Sequence, residues 1–309
     1  MTNGYLTLTE AAQELGVHYM TAYRYVRTGR LPARQVGGEW QIEPADLARF
    51  REQAPGPFRG APVLGAPVLG APVLGAPVLG APVLGAPVRP GLKARRGQLE
   101  ARLVAGDEPG SWALIEAVLA TGTKPDESLL ELVAPAMRSI GAHWQRGELS
   151  IADEHRASAV SARLIARLGS RFGRRGVKRG TVVLAAPAGE LHGLPVSIGA
   201  NLLRWRGFNV VELGADTPPE ALVEAVANEA GSDGGPLAVG IVSTLTGQQP
   251  SVESSVSEVH RAHPGVPVLL GGAAVVDASQ ARRLGADVYT GKRGDVLVDT
   301  LEAITERRH

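Results

Sequence analysis

Beyond residue 180, short apolar runs alternate with segments of helical periodicity. The runs at 181–186, 209–213, 237–242, 266–270 and 287–289 are mostly β-branched or aliphatic, as expected of parallel strands buried on both faces. With helices between them they predict a five-stranded, parallel, flavodoxin-like α/β sheet. Residues 92–172 instead place apolar side chains at helical spacing: Leu114 and Val118, then Leu129, Leu132, Val133 and Ala136, then Val160, Leu164 and Leu168. Helices over about 92–105, 112–121, 128–144 and 151–172 fit this pattern, and the short turns between them favour an antiparallel four-helix bundle. Ser150 and Asp153 have capping-box spacing and put Glu154 and His155 in the first turn of the last helix.

The opening segment reads as a small α+β helix-turn-helix with a wing. Thr7 and Glu10 have capping-box spacing, Ala11, Ala12 and Leu15 form one apolar face, and Gly16 makes a tight turn. A second helix is expected over about 18–27, a hairpin tip at Gly37 and Gly38, and a third helix from Pro44 through Phe50. Between Leu15 and Gly38 lie Arg24, Arg27, Arg30 and Arg34 with no carboxylate. The segment from LTLTEAAQELG through GGEWQI closely resembles the excisionase and MerR-like winged helix-turn-helix group. That resemblance implies that the second helix enters the major groove, with His18, Tyr19, Tyr23 and Arg24 reaching DNA and Arg34 and the wing touching the backbone. A unit this small reads a half-site at most, so useful affinity is expected to need a second copy of the chain.

From Gly60 the sequence repeats GAPVL at 60, 65, 70, 75 and 80 and closes with a variant unit ending at Arg89. Proline in every unit blocks helix and ladder alike, so residues 54–90 are expected to form a disordered, polyproline-biased tether reaching on the order of 100 Å. The expected division is therefore 1–53, a DNA-binding domain; 54–90, the linker; 91–175, the bundle; and 176–309, the sheet domain. The 309 residues carry a net charge of only +1, so a nucleic-acid partner rests on local clustering. Absence of cysteine excludes disulfides and thiolate metal sites, leaving histidine, carboxylate or a preassembled cofactor to hold any metal. No basic-then-apolar leader opens the chain and no apolar run reaches about 18 residues, so a cytoplasmic location without membrane association is expected.

Candidate chemistry centres on the segment PAGELHGLP at 187–195. It follows the first strand, and open α/β sheets bind ligands at the carboxyl ends of their strands. A carboxylate two residues before an imidazole can hold one ring nitrogen and leave the other to a metal. Ser243, Thr244 and Leu245 follow a later strand, and Gly271 and Gly272 the next. This series resembles the cobalamin-binding domain, with its D-x-H-x-x-G, S-x-L and G-G motifs. The resemblance implies that His192 replaces the cofactor's own dimethylbenzimidazole as lower ligand to cobalt, with Glu190 in the acidic position and Ser243 as a third member of the relay. Leu245, Gly271 and Gly272 would line the path of the displaced nucleotide tail. Glutamate replaces the motif's aspartate, and Pro195 its glycine; proline either alters the start of the following helix or serves as an early-turn residue.

Trp144 precedes the Glu154-His155 pair by a W-x9-E-H spacing. That spacing resembles the helical cap of CarH/LitR-type cobalamin photoreceptors, which join a MerR-like head, a bundle and a cobalamin domain in the same order. It implies that Trp144 packs against the upper axial adenosyl group, that Glu154 holds it by hydrogen bonds, and that His155 belongs to the same pocket. The family's upper-ligand histidine directly after the tryptophan is Gln145 here. His143 directly precedes Trp144, but positions 143 and 145 point about 200° apart on a helix, so His143 cannot substitute without rearrangement. The expectation is a non-enzymatic, DNA-binding, self-associating transcription regulator that uses adenosylcobalamin to sense light. Alternatives are a light-independent sensor of corrinoid supply or redox form, a corrinoid methyl-carrier protein, and a dimerising tail with an empty pocket.

Overall fold

The computed structural model describes residues 4–15, 22–23, 25–26, 29–36, 39–53, 90–172, 178–230, 235–245, 247–292 and 294–308. The chain divides into two compact units, residues 1–70 and 71–309. Of the expected tether at 54–90, residues 54–89 lie outside the described residues, as do His18, Tyr19, Arg24 and the Gly37-Gly38 tip, while Pro90 opens a helix instead.

In the first unit, β1 (Leu6–Thr7), β2 (Arg34–Val36) and β3 (Glu39–Ile42) form an antiparallel sheet in the order β1-β3-β2, flanked by α1 (Leu8–Leu15) and α2 (Pro44–Gln53). The expected capping box starts α1: Glu10 N donates to Thr7 Oγ1 at 3.2 Å, and Thr7 N to Glu10 Oε2 at 2.7 Å. Leu8, Ala11, Ala12, Leu15, Ile42, Leu47 and Phe50 are buried between these elements. Tyr23, expected to reach DNA, is only 4% exposed. It shares a helical stripe with the buried Ala22 and Val26, so its ring belongs to the core of the unit. Arg34 is exposed on β2, and its guanidinium lies 3.8 Å from the centre of the Tyr5 ring.

The second unit begins with the expected bundle: α3 (Pro90–Ala105), α4 (Glu108–Ala120), α5 (Pro125–Ser128), α6 (Ala134–Gln145) and α7 (Ile151–Gly169). Leu99, Leu103, Ile115, Leu129, Leu132, Ile140, Leu164 and Leu168 fill its interior. Ser150 and Asp153 cap α7 reciprocally, as their spacing predicts. The third expected helix departs from regularity, since a π-helical turn at Leu129–Val133 joins α5 to α6. Pro135 has no N–H to give the Glu131 carbonyl four residues back, and Arg96 Nε on α3 donates to that oxygen at 2.6 Å instead.

The sheet consists of β4 (Thr181–Pro187), β5 (Asn209–Thr217), β6 (Pro236–Val242), β7 (Val268–Gly271) and β8 (Val288–Tyr289), all parallel, in the order β5-β4-β6-β7-β8. Every residue of β4 is buried. Val182 and Leu184 pack with residues of α8 (Leu194–Trp205) and α12 (Gly294–Arg308) on one face. Val183 and Ala185 pack with α9 (Pro219–Glu229), α10 (Gln249–Ala262) and α11 (Ala278–Arg283) on the other. This is the doubly wound, flavodoxin-like order, and the β4–β6 boundary is its topological switch point. Leu194 and Ile198 of α8 also pack with the bundle core, and Asn201 Nδ2 donates to Ile165 O at 3.3 Å, so bundle and sheet share one interior. Among the described residues no helix is long and apolar enough to cross a membrane.

Arg96→Met would keep the side chain's length and remove both its bond to the Glu131 carbonyl and its ion pair with the Glu131 carboxylate. We expect a loss of about 2 kcal/mol in chemical unfolding of the second unit; an unchanged midpoint and slope would show that the π turn does not depend on these bonds.

Candidate functional site

The carboxyl ends of two neighbouring strands, β4 and β6, meet at one carboxylate. Glu190 follows β4, is fully buried, and accepts at Oε1 from the His192 backbone N–H at 3.1 Å and from His192 Nδ1. Its Oε2 accepts from Thr244 N at 2.7 Å, Thr244 Oγ1 at 2.9 Å and Leu245 N at 2.8 Å, all just beyond β6. Burial pushes the Glu190 carboxyl up, but the His192 contact and the backbone N–H groups of Thr244 and Leu245 outweigh it and hold the group below the ordinary glutamate value. An ionised partner at Nδ1 keeps the ring proton on that nitrogen, which makes Nε2 the lone-pair nitrogen of His192.

The third member of this relay differs from expectation. The hydroxyl at the junction belongs to Thr244, whose Oγ1 is also 2.9 Å from His192 Nδ1. Ser243 meets its surroundings through the backbone, its N donating to Gly271 O at 2.9 Å and its O accepting from Ala274 N at 3.1 Å. Leu245 serves Glu190 through its backbone N–H. Gly272 has φ +104°, and a Cβ there would fall 2.2 Å from Ser243 O; at Gly271 it would fall 2.3 Å from Thr290 Oγ1. These glycines therefore let strand ends approach each other as well as line the space above them. Pro195 falls in the first turn of α8, where a missing N–H costs nothing, so the helix starts normally without the motif's glycine.

Two further contacts hold the loop from its flanks. Gln248 Nε2 donates to Gly189 O at 3.2 Å, and Asp216 Oδ1 accepts from Gly189 N at 2.7 Å. Asp216 and Thr217 are the last residues of β5, and α9 follows directly, with Pro218 as its N-cap and no side-chain cap.

The bundle supplies the opposite wall. Trp144, at the end of α6, is 2% exposed, and Glu154, in the first turn of α7, is 1% exposed. Glu154 Oε1 accepts from Ser158 Oγ at 2.9 Å, and Oε2 lies 2.7 Å from His155 Nδ1. Burial raises the Glu154 carboxyl above the ordinary value, with the Ser158 and His155 contacts opposing the rise. His155, expected inside the pocket, has a side chain 40% exposed and holds Glu154 from outside. The buried stripe of α7 runs through Glu154, Ala157, Ser158, Ser161 and Ile165, and a residue one position from Glu154 points off it. His143 is also turned away, its Nδ1 2.8 Å from Glu100 Oε1.

Between the walls lies a cavity of ≈ 1490 Å3, counting its open mouth. His192, Thr244, Gly271, Gly272 and Pro195 line it from the sheet, and Trp144, Glu154, Met137 and Ala142 from the bundle. A cobalamin fits this donor set: an imidazole of fixed tautomer below, a buried carboxyl and an indole above, and a glycine-built edge beside. His192 would be the protein's ligand to cobalt.

Residues 5–55 match the helix-turn-helix domain family, and residues 96–168 and 180–301 match two B12 binding domain families. The chain is 31% identical over 208 residues to the HTH-type transcriptional repressor CarH of Myxococcus xanthus, covering 66% of this chain and 66% of that protein, just under two thirds of each. It is 27% identical over 183 residues to the dimethylamine corrinoid protein of Methanosarcina barkeri, covering 59% of this chain and 84% of the relative. The solved Methanosarcina barkeri monomethylamine corrinoid protein shares the fold with a TM-score of 0.55 at 19% identity, over 67% of this chain and 96% of that one. A helix-turn-helix domain followed by two B12 binding domains, together with 31% identity to CarH over 208 residues, supports a CarH-type cobalamin-binding helix-turn-helix regulator.

Proposed function

We propose that this chain is a cytoplasmic transcription regulator that holds adenosylcobalamin between bundle and sheet and, when illuminated, changes its self-association and so its hold on DNA. The observation that carries this reading is that His192 from the sheet and Trp144 with Glu154 from the bundle line the same cavity. A bound alkylcorrinoid supplies a cobalt–carbon bond that visible light breaks. His192, tied at Nδ1, would ligate through Nε2. Trp144 would wall the upper face and Glu154, its carboxyl pushed above the ordinary value by burial, would hydrogen-bond the upper group. His155 and Ser158 hold that carboxyl in place. Gly271 and Gly272 leave room for the nucleotide tail.

Loss of the upper group would empty the space beside Trp144 and let α6 and α7 repack, altering the surface that a second copy meets. One head reads a half-site, so pairing heads multiplies affinity through effective concentration without any new contact. Arg34 on the exposed wing strand is a backbone-contact candidate, with His18, Tyr19 and Arg24 as base-reading candidates.

A second reading, a light-independent corrinoid sensor, draws support from the bundle wall. His143 is engaged with Glu100, and among the described residues the histidine lining the cavity is His192. One experiment separates the two. Chain purified with adenosylcobalamin in darkness should change its absorption spectrum, its elution volume and its operator binding after green light. Identical operator binding before and after would select the light-independent sensor. Methyl transfer from methylcobalamin-loaded chain to an added thiol, at an enzyme's pace, would favour a methyl-carrier role instead. His192→Ala should alter the bound spectrum and weaken corrinoid retention.

The cobalamin-free protein offers an independent check on Glu154. Its folded-state carboxyl is raised above 4.5, so its contribution to stability is fully present below that value and is lost as pH rises through the folded pKa. Glu154→Gln carries no proton to lose. Thermal melts across pH should show the variant gaining on the parent from that value upward, and a constant difference would contradict a raised Glu154 carboxyl.

A further inference from the structure

Among the described residues, Asp216 is the one non-glycine residue with a left-handed backbone, at φ +51°. It lies where β5 departs from regular pairing with β4. Leu184 and Ala185 pair with Glu212 and Gly214, and Pro187 pairs with Thr217, so β5 carries an extra residue at each of two steps. Bulges of this kind re-aim groups beside functional sites, and a left-handed non-glycine residue is costly enough to need a use.

Both hydrogen bonds of Asp216 go to the Glu190 loop. Its Oδ1 accepts from Gly189 N at 2.7 Å, and its own N–H donates to Glu190 O at 2.8 Å. One residue thus grips the backbone on both sides of Glu190, the carboxylate that fixes the His192 ring. Asp216 is exposed and is not among the residues lining the cavity, and α9 does not use it as a cap. Neither helix capping nor contact with a ligand accounts for its conformation.

We propose that Asp216 is a positioning residue for the axial ligand: by clamping Gly189 and Glu190 it sets the height and tilt of His192 and so the strength of the bond to cobalt. The proposal rests on the reading of His192 as that ligand. The left-handed turn brings the carboxylate and the backbone N–H of one residue to neighbouring points of the loop. Aspartate and asparagine are the side chains that tolerate such a turn and still accept a hydrogen bond.

Substitutions separate clamp from fold. Asp216→Gly keeps the left-handed backbone and removes the acceptor, Asp216→Asn keeps both, and Asp216→Ala removes the acceptor and opposes the turn. Each full-length variant is loaded with cobalamin, and its absorption spectrum gives the ratio of imidazole-free to imidazole-ligated corrinoid, with His192→Ala as the imidazole-free reference. D216G and D216A should raise that ratio about fivefold, with D216N near the parent and D216G melting no lower than the parent. A parental ratio in D216G, or a D216N as impaired as D216G, overturns the proposal. So does a lower melting temperature in D216G with an unchanged ratio, which assigns Asp216 to the fold alone. Failure of the parent to take up cobalamin, or a parental spectrum in His192→Ala, sinks the His192 reading itself and the proposal with it.

Discussion

A buried carboxylate cannot stand without partners, and the partners of Glu190 organise this site. Placing an ionised group in the buried space between the loops that follow β4 and β6 would be prohibitive unless its lone pairs were taken up. They are taken up by the His192 ring and backbone, by Thr244 through both its hydroxyl and its N–H, and by the Leu245 N–H. The same satisfaction fixes the tautomer of His192. Removing the carboxylate would therefore free the imidazole to rotate and leave two backbone donors beyond β6 unmatched.

Around that point the fold stacks constraints of different kinds. Glycines at 271 and 272 let the ends of β6, β7 and β8 close up, since a Cβ at either would meet neighbouring atoms well inside contact distance. Gln248 and Asp216 hold the loop from either side. Across the cavity, the π turn and its Arg96 bond set where α6 runs, and α6 carries Trp144 at its end. His192, held at Nδ1, thus faces a helical wall across the cavity.

Much of this was legible in the residues. Apolar runs announced each strand of the sheet, helical spacing announced the bundle, and Glu190 with His192 stood out because an acid-x-imidazole pair at a strand end is chemically specific. What was misread depended on which way a side chain points. Strand alternation continued past β6 puts Thr244 on the side of Val242, and both line the cavity, so the relay hydroxyl could have been found by counting in twos from a core residue. The same counting at helical period sets His155 off the buried stripe that contains Glu154, and sets Tyr23 on the stripe of Ala22 and Val26. The far end of β5 was illegible for another reason: Gly214 to Thr217 carry no apolar signal, and their extended pairing is imposed by β4 and the Glu190 loop.

The central claim is that the His192 nitrogen meets cobalt, and electron paramagnetic resonance of the bound cobalt(II) corrinoid tests it most directly. An axial nitrogen splits the high-field cobalt lines into triplets, and chain grown on histidine carrying the heavy nitrogen isotope should convert them to doublets. His192→Ala should abolish the splitting. Unsplit lines in the parent, or triplets that survive both the isotope and the substitution, would contradict the account.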